Sequence, residues 1–214
     1  GIAGLGFEKL VYGGLSKVFA GIVIAPIGGL IVGLLLTGLI ITIFAKRKPA
    51  PVNKIFGRLQ IISSAWFALT HGANDGQKTM GIIALILFSS GLIPNFEIPL
   101  WVIFAAATAM GLGTFFGGYK VIKTLGVKIT RLRPYQGFAA ETGGGLMLAA
   151  FAVLGIPAST THAITGTIMG SGAARRKLAV RWKVSRQIVF SWIITIPGAA
   201  GMGIGFTYLI HLFV

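Results

Sequence analysis

An apolar stretch of this chain contains two side chains of opposite charge. The segment HGANDGQKTMG, residues 71–81, holds Asp75 and Lys78, although the 214 residues include only four acidic side chains. In a membrane, an ionised carboxylate is costly unless it faces water, an ion or a partner. The oxygens of Asp75 and Asn74 offer hard ligands for a small cation, most simply sodium, at the end of a broken helix. In the alternative interpretation, Asp75 caps a helix and pairs with Lys78.

A second polar segment, Ser159-Thr160-Thr161-His162, follows Gly155-Ile156-Pro157. A single hydroxyl in a membrane helix usually bonds back to a carbonyl in its own turn. Three in succession point in different directions, so local bonding does not explain the cluster. At the start of a helix, hydroxyls and free backbone N–H groups form a donor-rich cradle for a phosphate-like anion. His162 is either a proton-sensitive ligand or, as we favour, a hydrogen-bond partner of a neighbouring helix.

Three further polar side chains have more than one interpretation. Glu141 precedes Gly143-Gly144-Gly145 and should face the interior of a helix bundle, where sodium ligation, gating and a pair with a lysine are all open. Lys78 can attract an anionic substrate, neutralise Asp75 or extend to the membrane surface. Gln77 both donates and accepts hydrogen bonds, which suits a tetrahedral oxyanion but also a bridge between helices.

The composition is that of a helical membrane protein. The mean hydropathy is +0.87, 55% of the residues are hydrophobic and 11% are charged, whereas a soluble domain carries roughly 25% charged residues. The 32 glycines allow membrane helices to approach closely. No cysteine is present, which excludes disulfides, cysteine-ligated zinc and thiol catalysis. We therefore predict an all-α fold, a polytopic helical membrane protein.

The chain divides into three segments of one transmembrane domain. These are 1–45, an interfacial N-terminus and a first span; 46–133, a basic loop, a broken helix with the Asn74-Asp75 motif and a following span; and 134–214, the span of Glu141, a hairpin or broken helix from Pro157 to Gly172, a basic loop and a last span.

Helix breaks are predicted from length and from proline and glycine. The run of 35 residues from 59 to 93 would reach about 52 Å as one helix, against a hydrocarbon core of roughly 30 Å. A break is therefore expected at residues 71–76, where glycines flank polar residues. Pro26 should bend the first span or pack it tightly, and Pro197 should break the last span.

The distribution of charge predicts the orientation. The positive-inside rule places three basic loops on the cytoplasmic face and accounts for the net charge of +15 without nucleic acid: residues 46–58, 120–133 and 175–186. The loop 94–99 holds an acidic residue and no cation, so it belongs on the opposite face, and the C-terminus is then extracytoplasmic. Residues 134–174 must leave the cytoplasmic side and return, which makes Gly155-Ile156-Pro157 either an outer turn or the tip of a re-entrant pair.

Two linked motifs resemble those of a known family. HGANDGQKTMG and GIPASTTHAITGTIMGSG are similar to the paired signatures of the inorganic phosphate transporter family, which couples phosphate uptake to sodium or protons. ETGGG, residues 141–145, resembles a third family feature, an acidic residue before small residues. The chain departs from the family's sequence motifs at Ala158, where valine is common, and at Gly76-Gln77-Lys78-Thr79, where many members have Val-Ala-Asn-Ala.

The resemblance implies a function and a set of site residues. The protein would be a secondary active transporter of inorganic phosphate in the cell membrane, with sodium as the transported coupling ion, no organic cofactor and no enzymatic activity. The implied sodium ligands are Asn74, Asp75, Glu141 and Thr160. The implied phosphate ligands are Gln77, Ser159, Thr160 and Thr161. Lys78 and His162 have no implied role.

The family is similar to an inverted-repeat transporter in which each motif occurs twice, whereas this chain holds each motif once. The chain therefore looks like the C-terminal half, with the N-terminal half as its partner. A single half should not transport alone, because alternating access works between repeats. Membrane lipid is a further expected partner, and a homodimer is expected for family reasons only.

Two other functions remain open from the residues. A proton-coupled phosphate or sulfate permease would use the same polar segments. A membrane subunit of an enzyme complex would relay protons through Asp75, Glu141 and the histidines. A relay usually shows several ionisable groups across the span, and here they are few.

Overall fold

The structure is a computed structural model that describes residues 11–212, and every regular element in that range is helical. Its six α-helices are α1 (Tyr12–Ile43), α2 (Pro49–Ser89), α3 (Leu100–Lys123), α4 (Pro134–Val153), α5 (Thr160–Ala173) and α6 (Trp182–His211). A π-helical segment, Thr124–Ile129, follows α3, and a 3-10 turn, Lys177–Ala179, precedes α6. The predicted all-α fold is confirmed. The interfacial assignment of residues 1–10 lies outside the described residues.

Three of the described helices are long and apolar enough to cross a membrane: Tyr12–Ile43, Leu100–Tyr119 and Trp182–Ile210. Their large apolar side chains are mostly exposed, as on a surface that meets lipid. By contrast α5 has 14 residues and reaches only about 21 Å, short of a hydrocarbon core of roughly 30 Å. It is therefore too short to cross the hydrocarbon core, and it begins inside the protein rather than at one of its ends.

Helix α5 lies at the centre of the protein core. Eleven of its 14 residues are buried, and an apolar cluster joins Ala163 on α5 to Ala25 on α1 and Leu148 on α4. Because glycines line the contact between α1 and α5, the two backbones touch. A Cβ on Gly29 would lie 2.6 Å from the Ala163 carbonyl oxygen, and one on Gly170 would lie 2.8 Å from the Leu30 carbonyl carbon. This is the small-residue packing typical of membrane helices.

The helix break predicted near Gly155 is confirmed. After α4 ends, Gly155 takes φ +61°, a left-handed conformation that favours glycine. The N–H of Ile156 donates to the Phe151 carbonyl at 2.9 Å and that of Gly155 donates to the Ala152 carbonyl at 3.2 Å. These two bonds form a Schellman motif. They stop α4 and turn the chain towards α5.

The break predicted at residues 71–76 is wrong. α2 runs without interruption through 41 residues, a length of about 61 Å. Polar residues disrupt a helix when their side chains compete for its own backbone. Here Asn74 bonds to the Ala158 carbonyl, and Asp75 bonds to the side chains of Thr160, Lys78 and His71. Neither side chain competes for the backbone of α2, so its hydrogen bonds stay intact.

The helices that contain Pro26 and Pro197 are both continuous. Pro26 lies inside a continuous α1, and the tight packing foreseen there is confirmed by the glycine contacts with α5. The break near Pro197 is wrong, because α6 continues from Trp182 to His211. A proline removes only one helical hydrogen bond, and membrane helices tolerate that loss when neighbouring groups or local adjustments compensate.

The basic loops meet at one end of the helices but are shorter than predicted. The N–H of Arg181 donates to the Ile129 carbonyl at 2.8 Å, and Gln136 Nε2 donates to the Ser171 carbonyl at 2.8 Å. Residues 49–58 are helical rather than loop, because prolines in the first turn of α2 lose only N–H groups that have no helical partner. Residues 120–129 and 182–186 are helical as well.

Replacing Gly33 with alanine should destabilise the complete protein. A Cβ there would lie 2.8 Å from the Thr167 Cα, and such overpacking typically costs about 1–3 kcal/mol. Thermal unfolding of the purified protein in detergent measures the effect. Gly38→Ala on the same helix is the control, because its Cβ meets nothing within 4 Å. Equal stability of the two variants would contradict the close contact between α1 and α5.

Candidate functional site

The two polar segments that the sequence singled out are in direct contact. The Thr160 hydroxyl, in the first turn of α5, donates to Asp75 Oδ2 at 2.9 Å. The Lys78 ammonium donates to Asp75 Oδ1 at 2.8 Å, and His71 Nε2 lies 3.1 Å from Oδ2. The carboxylate therefore ties α2 to the start of α5, and Lys78 neutralises it.

A second link joins α2 to the loop before α5. Asn74 Nδ2 donates to the Ala158 carbonyl at 3.2 Å, and Lys78 Nζ donates to the same oxygen at 3.0 Å. A loop carbonyl that would otherwise need water thus has two donors from a neighbouring helix. Asn74, Asp75, Lys78 and Thr160 form one cluster, which we call the Asp75 cluster.

The start of α5 has the features of an anion site. Ser159 is the N-cap, and its Oγ accepts the His162 N–H at 3.4 Å. The first backbone bond of the helix runs from Ala163 N to the Ser159 carbonyl at 3.1 Å. The N–H groups of Thr160 and Thr161 precede that bond, so they have no partner within the helix. The positive end of the helix dipole favours an anion there.

Glu141 lies in a different place. Its Oε2 accepts hydrogen bonds from Ser63 Oγ at 2.6 Å and Ser64 Oγ at 3.0 Å, and its Oε1 accepts one from Gln60 Nε2 at 3.3 Å. In the described part of the chain no lysine or arginine pairs with it. We call these four residues the Glu141 cluster. Along α2, Ser64 precedes Asp75 by about 16 Å.

Sequence reasoning missed Gln60, Ser63 and Ser64. A signal for them exists, because polar residues at i, i+3 and i+4 within an apolar run share one face of a helix. The glycines after Glu141 bring the helices together. A Cβ on Gly144 would lie 3.1 Å from the Phe67 ring, so only small residues there allow α4 to approach α2.

A cavity of about 690 Å³ reaches both clusters. Its polar lining includes Gln60 and Glu141 at one part and His71, Thr160 and Thr161 at another, and its remaining lining is mostly glycine and apolar residues of α3, α4 and α5. The exposed side chain of Thr161 is thus available to a molecule in the cavity, whereas Thr160 is buried and already bonded to Asp75.

Two predicted residues stand apart from this arrangement. Gln77 is exposed on α2, away from the contact with α5. His162 is buried, and its ring stacks on Trp192 of α6 with centroids 3.9 Å apart and planes inclined by 35°. No group of three or more His, Asp or Glu side chains in residues 11–212 is arranged to hold a metal ion.

Comparison with known proteins shows that the chain matches one protein family. A model of the phosphate transporter family matches residues 1–203. A probable low-affinity inorganic phosphate transporter of Rhizobium meliloti (strain 1021) is 48% identical over 201 residues, which cover 94% of this chain and 60% of the relative. The protein with the same description in Bacillus subtilis (strain 168) is 40% identical over 203 residues, with coverage of 94% and 61%.

Two more distant matches show the length of the relatives and the fold. The relative in Mycobacterium tuberculosis (strain ATCC 25618 / H37Rv) is 37% identical, and the match covers 98% of this chain and 51% of the relative. The chain therefore spans about half to three fifths of the length of these relatives. A solved structure of a sodium-dependent phosphate transporter matches with a TM-score of 0.83 at 22% identity, covering 100% of this chain and 71% of that one.

Two adjacent threonines should differ in their contribution to stability. Thr160→Val removes the donor to the Asp75 carboxylate, so the free energy of unfolding should fall by about 1–2 kcal/mol. Thr161→Val keeps the side-chain shape at an exposed position, so its effect should stay within about 0.5 kcal/mol. Denaturation of the complete protein in detergent compares the two. An equal loss in both variants would show that the bond to Asp75 is unimportant.

Proposed function

The chain belongs to the phosphate transporter family, and from this we propose that it is part of a secondary carrier that moves inorganic phosphate across the membrane by symport with sodium. The observation that carries the proposal is the bond from Thr160 to Asp75. It joins a charged side chain to a helix N-terminus inside an apolar protein. That pairing is how transporters build sites from half-helices.

Phosphate binds at the start of α5 in this proposal. The free N–H groups of Thr160 and Thr161 and the hydroxyl of Thr161 are the donors. The ammonium of Lys78 lies 3.0 Å from the Ala158 carbonyl, just before the helix. An anion in such a partly buried position gains up to about 2 kcal/mol from the helix dipole. Ser159 contributes as the cap, and Gln77 contributes only through the part of the carrier that covers its exposed face.

Sodium binds first at the Glu141 cluster. The carboxylate and the hydroxyls of Ser63 and Ser64 are hard oxygen ligands close together, and no described cation neutralises them. At Asp75 an ammonium already occupies the place that a sodium ion would take. Asn74, Asp75 and Thr160 therefore receive sodium only when Lys78 turns to the phosphate.

This exchange would couple the two ions. When phosphate draws Lys78 away, the Asp75 carboxylate loses its compensating charge, and its affinity for sodium rises. By linkage, sodium at Asp75 raises the affinity for phosphate by the same factor. Phosphate bound together with sodium carries less net charge into the low-dielectric interior than phosphate alone. This lowers the free-energy cost of enclosing the ions in the protein.

We further propose a place for the protein in the cell membrane. The three basic loops share one end of the helices and would face the cytoplasm, while the loop that contains Glu97 and the end of α6 would face outward. The exposed apolar surface of α6 and the face of Gln77 offer contact area for the rest of the carrier and for lipid. A second copy of the carrier is a further proposed partner.

Asp75→Asn in the complete protein should abolish sodium-dependent phosphate uptake while expression stays normal, because the amide neither balances Lys78 nor binds sodium strongly. Uptake of radiolabelled phosphate into proteoliposomes, with and without a sodium gradient, measures this. Unchanged uptake would exclude Asp75 from the site. Uptake driven by a pH gradient alone would indicate proton coupling, and full competition by sulfate would indicate a less selective permease.

Glu141→Gln should raise the sodium concentration for half-maximal phosphate uptake by about tenfold or more, since one lost charge–ligand contact costs roughly 1.4 kcal/mol or more. Glu97→Gln is the matched control, because Glu97 is exposed on the loop between α2 and α3. It should leave the sodium dependence unchanged. Identical sodium curves for wild type and Glu141→Gln would place the coupling ion elsewhere.

A further inference from the structure

A second cavity lies on the surface of α2, near the start of the helix. It has a volume of about 340 Å³ and is lined by Pro51, Lys54, Ile55, Arg58 and Leu59. With 3.6 residues per turn, these five positions share one face of the helix. All five side chains are exposed, so the cavity is an open groove, which we call the α2 groove.

The α2 groove faces away from the core and from the Glu141 cluster. The buried ring of Phe56 packs against that of Phe138 on α4, with centroids 5.3 Å apart. Ser63, which donates to Glu141, lies on the same side of the helix as Phe56. Arg58 lies about 160° from Phe56 around the helix axis. The groove is therefore on the outer side of α2, where a membrane helix meets lipid or another helix.

The two cations of the α2 groove have no counter-charge among the described residues. Lys54 and Arg58 are one turn apart, and two like charges at this spacing destabilise a helix. The sequence has no acidic residue between Glu8 and Asp75, and the ion pairs in the described part of the chain involve Asp75. An anion that contacts both Lys54 and Arg58 would remove their repulsion and form charge-assisted hydrogen bonds with them.

Apolar side chains extend the α2 groove towards the middle of the helix. Ile55 is 50% exposed, Leu59 is 36% exposed and Ile62 is 67% exposed. Their spacing of four and then three residues keeps them on one face of the helix. The groove thus joins a pair of cations near the end of α2 to a strip of exposed apolar surface. An anionic phospholipid has the complementary arrangement, a negatively charged headgroup attached to acyl chains.

We propose that the α2 groove binds an anionic phospholipid. The headgroup phosphate lies between Lys54 and Arg58, and an acyl chain lies along Ile55, Leu59 and Ile62. The long stems of the two cations pack on apolar surface while their charges stay at the level of the headgroups. In the proposed orientation this end of α2 faces the cytoplasm, where the leaflet carries anionic lipids that basic segments attract.

Charge favours a lipid over the other occupants of such a groove. Inorganic phosphate offers the same negative charge but gains nothing from the apolar strip. A second copy of this chain offers few carboxylates to face two cations, because only four acidic residues occur in the 214. A phospholipid satisfies the cations and the apolar strip at once.

Native mass spectrometry of the complete protein, released from detergent, measures the binding of single lipid molecules. Dioleoyl phosphatidylglycerol is the anionic lipid, and dioleoyl phosphatidylcholine, with the same acyl chains, is the zwitterionic one. Lys54→Gln/Arg58→Gln should weaken binding of phosphatidylglycerol by about tenfold or more, since each cation near an anionic lipid contributes about fivefold. Binding of phosphatidylcholine should stay within about twofold.

Two further variants are matched to this one. Arg175→Gln/Arg176→Gln removes the same charge from the exposed turn after α5, outside the α2 groove, and should leave the affinity for phosphatidylglycerol within about twofold of wild type. Lys54→Arg/Arg58→Lys exchanges the two cations and keeps their charge, so it should retain the preference for the anionic lipid.

Each outcome supports or overturns the lipid site. An equal loss in the Arg175→Gln/Arg176→Gln variant would show a general effect of net charge and overturn it. Equal affinities of the wild type for the two lipids, or an unchanged affinity in Lys54→Gln/Arg58→Gln, would also overturn it and would indicate that another part of the carrier covers this face. Displacement of phosphatidylglycerol by millimolar inorganic phosphate would identify the ligand as the free ion. These measurements need no transport, so they decide the site whether or not the protein takes up phosphate.

Discussion

The structure depends on a helix that begins inside the protein. The first N–H groups of any helix lack partners within it, and the hydrocarbon of a bilayer offers no water in their place. At α5 the Ser159 side chain caps the His162 N–H, and the Asn74 and Lys78 side chains of α2 donate to the Ala158 carbonyl just before the helix. Because Asp75 and Asn74 find their partners there, α2 has no cause to unwind. The continuous α2 and the interrupted α4–α5 pair are parts of one arrangement.

The two embedded carboxylates differ in how their charge is balanced. Asp75 has an ammonium at 2.8 Å, whereas Glu141 has only neutral donors from one face of α2. In a low dielectric a carboxylate without a counterion attracts one strongly. In the proposed carrier this difference in balance would give the two clusters different tasks. Residue type alone cannot separate them, since both are simple acids in apolar surroundings.

Some local signals predict the structure, and others fail where distant partners or neighbouring helices compensate, as at Pro197, where α6 continues. The break at Gly155 follows from a glycine, a proline and a capping serine within a few residues, and the all-α membrane fold follows from composition. The predicted break at 71–76 is wrong, and the sequence does not reveal why, because Asn74 bonds to residue 158 and Asp75 bonds to residue 160 as well as to its neighbours in α2, with 158 and 160 more than 80 positions away in the chain. Gln60, Ser63 and Ser64 were overlooked for the same reason, as only the approach of α4 brings Glu141 to them.

The unbroken course of α2 has a mechanical consequence. One continuous helix of 41 residues carries side chains of both carboxylate clusters. A tilt of this helix would displace side chains of both clusters together, so in the proposed carrier an ion bound at one cluster would affect the other without a change in backbone torsion angles. In that proposal the helix would act as a lever, and its continuity would transmit a movement that a flexible joint at the glycines would absorb.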